Sequence, residues 1–137
     1  MVDCTPQPVT PYAVVDRSRS PVLHVRVVGP LTPEGFEQYL GELEQAFDEE
    51  SGRFGIVLEQ GPLRDFSLQY IGRSREWLRW VGPRHDGRWA CCCFVLRSRA
   101  LRGALRAVLW SSSPPFRTEV LPTTQAAFEW SRSQLAL

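Results

Sequence analysis

Lysine and asparagine are absent from this chain of 137 residues, methionine occurs once and histidine twice. Both missing residues have A-rich codons, which describes the gene's base composition and not the protein's chemistry. The two histidines, His24 and His85, are 61 positions apart, and neither has a nucleophile beside it in the sequence. His85 stands in the turn Pro83-Arg84-His85-Asp86-Gly87, where Asp86 is a neighbour by sequence only. There is no Gly-rich phosphate loop, no H-E-x-x-H and no Gly-x-Ser-x-Gly, so the usual carriers of phosphoryl transfer, zinc hydrolysis and serine hydrolysis are missing. The expectation is a protein that is not an enzyme and holds no cofactor. Long apolar runs are also lacking: nothing approaches the roughly 18 to 20 residues of a membrane span, and Met1 to Thr10 is polar and proline-rich without an apolar signal core. A cytoplasmic location without a membrane span is expected. Spaced cysteine pairs are missing too. Three of the four cysteines, Cys91, Cys92 and Cys93, are consecutive, and adjacent strand residues point to opposite faces, so they read as reduced core residues. Only Cys4, His24 and His85 could complete a zinc set from afar, and no metal is expected.

What is present is the composition of one folded domain, with 43% apolar and 23% charged residues. Residues 1–11 read as an N-terminal extension and residues 12–137 as the domain. The net charge of +1 conceals a split: 4 Arg against 10 acids up to Gln60, then 12 Arg against 5 acids, a balance of −6 followed by +7. Acids gather from Glu34 to Glu50, and arginines from Arg73 to Arg88 and from Arg97 to Arg106. Such blocks are solvated helix faces or surfaces that steer a charged partner. The Arg and Trp mixture between Arg73 and Trp89 could stack on bases, but the chain lacks the basic excess of a nucleic-acid binder, and no nucleic-acid partner is expected.

Hydrophobic periodicity sets out the elements. Tyr12 to Asp16 and Val22 to Gly29 read as a strand pair around the turn Arg17-Ser18-Arg19-Ser20-Pro21. Thr32-Pro33-Glu34 opens a helix in which Phe36, Tyr39, Leu40, Leu43 and Phe47 share a face, and Ser51-Gly52 closes it. Phe54 to Glu59 and Trp89 to Leu96 are apolar runs without alternation, the mark of strands buried on both faces. Between them Leu68, Ile71, Leu78 and Val81 define a second helix, ended by Gly82-Pro83. Ser98 caps a third helix, Phe116 to Val120 alternates as an edge strand does, and Thr123 or Thr124 caps a fourth helix. The order β-β-α-β-α-β-α-β-α predicts an α/β fold: a five-stranded, mostly parallel sheet, its first strand antiparallel at an edge.

Together with Gly29-Pro30-Leu31-Thr32 before the first helix and Ala127-Phe128-Glu129-Trp130 near the end, this order resembles the STAS domain of bacterial anti-sigma-factor antagonists, and more closely their SpoIIAA-like relatives. The resemblance implies a single STAS-like domain with helices mainly on one side of the sheet. It also implies a non-catalytic regulatory module acting through protein contacts, with a kinase or anti-sigma-type regulator as partner. In the signalling members a serine at the start of the helix after the third strand is phosphorylated. That place holds Asp65 and Ser67 here, flanked by Arg64 and Arg73, so these four residues form the candidate phosphosite and partner-binding site. The motif of those members is absent, and the simpler reading of Ser67 is an ordinary N-cap. The alternative function is a carrier of a small apolar or lipid-like ligand, which would need the Trp and Phe side chains to surround a void.

A one-sided helical layer has a further consequence. Alternate residues of the two apolar strands would emerge on an open sheet face, with Val57, Cys92 and Phe94 as its candidate members. Monomers rarely expose such a patch, so either the proline-rich segment Val2 to Pro11 folds over it or a second copy of the chain covers it. A homodimer is the expectation.

Overall fold

The computed structural model describes residues 12–59, 68–85, 87–112, 114 and 116–136. Strands β1 (Ala13–Asp16) and β2 (Val22–Val27) pair antiparallel, with Ala13 opposite Val27 and Asp16 opposite His24. Their turn is closed by Ser20 N–H donating to the Arg17 carbonyl at 3.0 Å and by Ser18 N–H donating to Asp16 Oδ1 at 2.8 Å. Helix α1 (Pro33–Glu49) starts where Thr32 Oγ1 accepts from the Gly35 N–H at 3.1 Å, with Pro33 at the first helical position. Strand β3 (Phe54–Glu59), helix α2 (Leu68–Arg84), strand β4 (Trp89–Val95) and helix α3 (Arg99–Ser112) follow. Strand β5 (Arg117–Leu121) and helix α4 (Thr124–Leu135) complete the order. Ser98 caps α3 by accepting from Leu101 N–H, and Thr123 caps α4 by accepting from Ala126 N–H.

Spatial order in the sheet equals chain order, β1-β2-β3-β4-β5, with β2 to β5 parallel. The expected α/β architecture is therefore present, with β3 central and the antiparallel strand at an edge. Helices α1 and α2 pack over one side of the sheet, as the preferred right-handed crossover between neighbouring parallel strands leads one to expect. Two boundaries differ from expectation. Helix α1 stops at Glu49, and Glu50 is already extended, before Ser51-Gly52. Helix α2 continues through Pro83 to Arg84, because a proline in a last turn forfeits one hydrogen bond and its fixed φ is itself helical.

The side of the sheet under α1 and α2 is packed by Leu23, Val25, Phe54, Ile56 and Cys92 against Phe36, Leu40, Leu43, Phe47, Trp77 and Val81. Full burial of each large apolar side chain contributes about 1.5 to 3 kcal/mol. Trp77 is placed inward and donates Nε1–H to Glu44 Oε1 at 2.8 Å, whereas Trp80, one turn on, is 54% exposed under the Arg84 guanidinium. The opposite face is not open. Ala127 and Phe128 of α4 pack on Val22, Val57, Cys93 and Val95, with Leu121, Trp130 and Leu135 at the margin. The expectation of a bare apolar face is corrected: α4 is its cover. Val57 and Cys92 are buried and belong to opposite faces, and Phe94, half-buried, lies with Cys92 on the α1 side. These three residues do not form one patch.

One polar node ties the ends of α1 and α2 together. Arg88 donates Nη2 to the carbonyls of Phe47 at 3.2 Å and of Glu50, and Nε to that of Gly52 at 3.3 Å. Its Nη1 lies 3.3 Å from His85 Nδ1. A guanidinium only donates, so Nδ1 accepts and the neutral ring carries its proton on Nε2, 3.5 Å from Asp48 Oδ1. His85 is 3% exposed and packs edge-on against Phe47. Burial, reinforced by the Arg88 charge, holds its pKa below the usual 6.5. The unfolded chain therefore takes up this proton more readily than the folded one. The stability contributed by neutral His85 is complete above 6.5 and is lost as pH falls below it toward the depressed folded value. Urea unfolding at about pH 7.5 and about pH 5.5 should show the native chain losing more stability than His85→Gln over that interval. Equal losses would dismiss His85 as a source of acid sensitivity.

Candidate functional site

Of the four residues expected at the phosphosite, Arg64, Asp65 and Ser67 lie outside the described residues, and Arg73 is described. Arg73 is in the second turn of α2 and reaches across to the first turns of α1. Its Nε and Nη2 donate to Glu37 Oε1 and Oε2 at 2.6 and 2.9 Å, a bidentate pair, and Nη1 lies 3.9 Å from Glu76. Hydrogen bonding by Arg73 holds the Glu37 carboxyl below its usual pKa, and the Arg73 guanidinium is raised in turn. Both side chains are partly exposed, 52% for Glu37 and 36% for Arg73. The pair is thus a surface latch between α1 and α2, within reach of solvent. An exposed pair of this kind contributes at most about 1 kcal/mol to stability, so exchanging its carboxylate for another anion costs little.

The two histidines pack on opposite sides of the sheet, His85 against Phe47 and His24 against Phe128. His24 Nε2 lies 3.2 Å from Glu59 Oε1, and its ring meets Phe128 edge-on at 5.2 Å. The same Glu59 oxygen accepts from the Thr124 hydroxyl in the first turn of α4. The order is hydroxyl, carboxylate, imidazole. In nucleophilic catalysis the imidazole sits between the other two so that it can take the hydroxyl proton; here the carboxylate holds that position and fastens α4 to β3. The sequence showed neither contact, because Glu59 and Thr124 are 65 residues apart and each is unremarkable in its own segment.

The three consecutive cysteines are buried and reduced, as expected. Burial raises each thiol, Cys93 to about 12, which keeps them protonated and poor ligands. Among the described residues there is no cluster of three or more His, Cys, Asp or Glu able to hold a metal ion, and no helix long and apolar enough to cross a membrane.

Neither a protein-family model nor a curated protein sequence matches the chain. Among solved structures it is similar to an uncharacterized protein of the DUF3478 family with a SpoIIAA-like fold, from Shewanella loihica PV-4. The two share 20% sequence identity over 87% of this chain and 91% of that one, with a TM-score of 0.64. At that identity the likeness concerns the fold. With the order of strands and helices in agreement, this chain has a SpoIIAA-like fold.

Proposed function

We propose that the chain is a non-catalytic interaction module of the STAS-like type, working in the cytoplasm through a protein partner of the kinase or anti-sigma-regulator class. The observation that carries this reading is the Glu37–Arg73 latch. It puts an exchangeable guanidinium on the surface of α2 five residues after the first described position of that helix, next to the connection that holds Asp65 and Ser67. A phosphate on Ser67 would bring up to about two negative charges to compete with Glu37 for Arg73. A partner's carboxylate would compete in the same way. The charge division between acidic α1 and basic α2 and α3 supports such a surface.

Affinity capture from cells of the protein's own source tests the reading. The native chain should retain one protein in stoichiometric amount, and Arg73→Glu should lose it. The exchanged pair Glu37→Arg with Arg73→Glu should restore the latch and the fold but not the partner. Retention of an apolar or lipid-like molecule and no protein, seen by native mass spectrometry, would overturn the reading in favour of a ligand carrier. The aromatic side chains give that alternative little support. Phe54, Trp89 and Phe116 stack in series, with Trp89 and Phe116 centres 4.1 Å apart, and Phe47 and Trp77 close on the same group. Association with a second copy, still proposed, would use the outer faces of the helices, since α4 occupies the sheet face.

A further inference from the structure

The end of the sheet where the parallel strands begin carries a charge arrangement that the α1–α2 surface does not use. Arg19, in the β1–β2 turn, places its Cζ 4.4 Å from the centre of the Phe128 ring, and Arg132, one turn further along α4, places its Cζ 5.7 Å from the same centre. Phe128 is 1% exposed, so both guanidiniums rest on a ring anchored in the core. Their charges are thereby held within about 10 Å of each other, the screening length at 0.1 M salt. Neither forms an ion pair among the described residues.

Among the described residues the surroundings do not neutralise them. Arg53 donates to the Leu135 carbonyl at 3.5 Å and Arg117 to Gln134 Oε1 at 2.7 Å, adding two cations at the same end of α4. The Glu50 carboxylate nearby accepts from the Ser20 hydroxyl and shares the Arg17 guanidinium with Glu49, so this cluster carries one net negative charge against the four guanidiniums. The terminal carbonyls of α4 offer about half a negative charge. Beside Arg19 and Arg132 lies a cleft of about 500 Å³ whose walls include Ser20, Pro21, Val22 and Leu135. It is an open groove and not an enclosed cavity, so a ligand held there keeps one side in solvent.

We infer that this cleft binds a small organic phosphate, its dianionic phosphoryl group held between the Arg19 and Arg132 guanidiniums. The class follows from the charges. Two permanently ionised forks match a group with two negative charges and three acceptor oxygens, whereas a single carboxylate would neutralise only one of them. The organic remainder lies along Pro21, Val22 and Leu135. Because the ring of Phe128 already restricts both long side chains, less rotamer entropy is lost on binding.

Calorimetric titration of the full chain at constant ionic strength tests this, with inorganic phosphate and ribose 5-phosphate as probes. Saturable one-to-one binding is expected, tighter for the sugar phosphate. It should weaken about tenfold in Arg19→Gln and again in Arg132→Gln, and stay unchanged in Arg79→Gln on α2. Thermal unfolding without ligand verifies that each variant is folded. Arg19→Lys and Arg132→Lys, which keep the charge and lose the fork, serve at a position where the glutamine variant does not fold. Equal binding by Arg79→Gln, Arg19→Gln and Arg132→Gln, or no saturable heat with either probe, would overturn the site. A phosphoserine peptide that bound more tightly than ribose 5-phosphate would overturn its assignment to a small molecule.

Discussion

Replacing Arg88 by alanine should lower the unfolding free energy by about 3 to 4 kcal/mol, out of about 5 to 15 kcal/mol for a domain of this kind. The reason is where the lost hydrogen bonds end. Helix α1 has no basic residue in its last turn, and its cap residue Glu50 is extended. The Phe47 carbonyl receives the Glu50 N–H at 3.2 Å, and Arg88, from β4's approach, adds side-chain donors to the carbonyls of Phe47, Glu50 and Gly52. Alanine takes the Arg88 donor from the part-buried Glu50 carbonyl and from His85 Nδ1. Arg88→Lys keeps the charge but only one of the forked contacts, and should recover less than half of the loss. Urea unfolding gives the number, and a loss below about 1 kcal/mol for Arg88→Ala would mean that water caps α1 just as well.

A single methyl group at Gly55 should be nearly as damaging. Gly55 pairs with Cys91 across β3 and β4, and a Cβ there would stand 2.6 Å from Cys91 Sγ, 3.6 Å from the Cys91 carbonyl and 3.9 Å from Leu135 Cδ1. The sulfur is fully buried and directed at the Ser131 carbonyl of α4 at 3.9 Å. Gly55→Ala should therefore cost about 2 to 3 kcal/mol through overpacking. In Cys91→Ala the space reopens, so the double variant should be less damaged than the sum of the two single changes by at least about 1 kcal/mol. Strict additivity would contradict the clash.

The order of the elements and the side shared by α1 and α2 were legible in the sequence for a common reason. Strong local signals, Thr32-Pro33, Ser98 and Thr123, mark the helix starts, and a crossover between two parallel strands has a preferred hand that assigns its helix to a side. Helix α4 escaped that rule because no strand follows it. The unbroken apolar runs Ile56-Val57-Leu58 and Cys91-Cys92-Cys93 announced that both faces were apolar without saying what covers the second one. That is why an open face, and a second copy over it, looked reasonable from the chain alone. The candidate sites were less legible still. Arg73 was singled out for its place after Ser67, but its partner Glu37 is 36 residues earlier. Arg19 and Arg132 meet only because Phe128 brings α4 beside the first turn. The acceptors of Arg88 on α1 are backbone atoms, which no residue pattern displays.

The alternation of the cysteines gives the two layers of the molecule separate clocks. Cys92 lies under α1 and α2, while Cys91 and Cys93 lie under α4. None of them can meet a reagent in solution until the layer above it lifts. The rate at which Cys92 is alkylated in the native protein thus measures one opening event, and the rates at Cys91 and Cys93 measure another. If α4 detaches as a unit while α1 and α2 stay down, adjacent residues in one strand will differ in labelling rate by the free-energy gap between the two events. Three neighbouring sulfurs would then resolve which half of the fold breathes first.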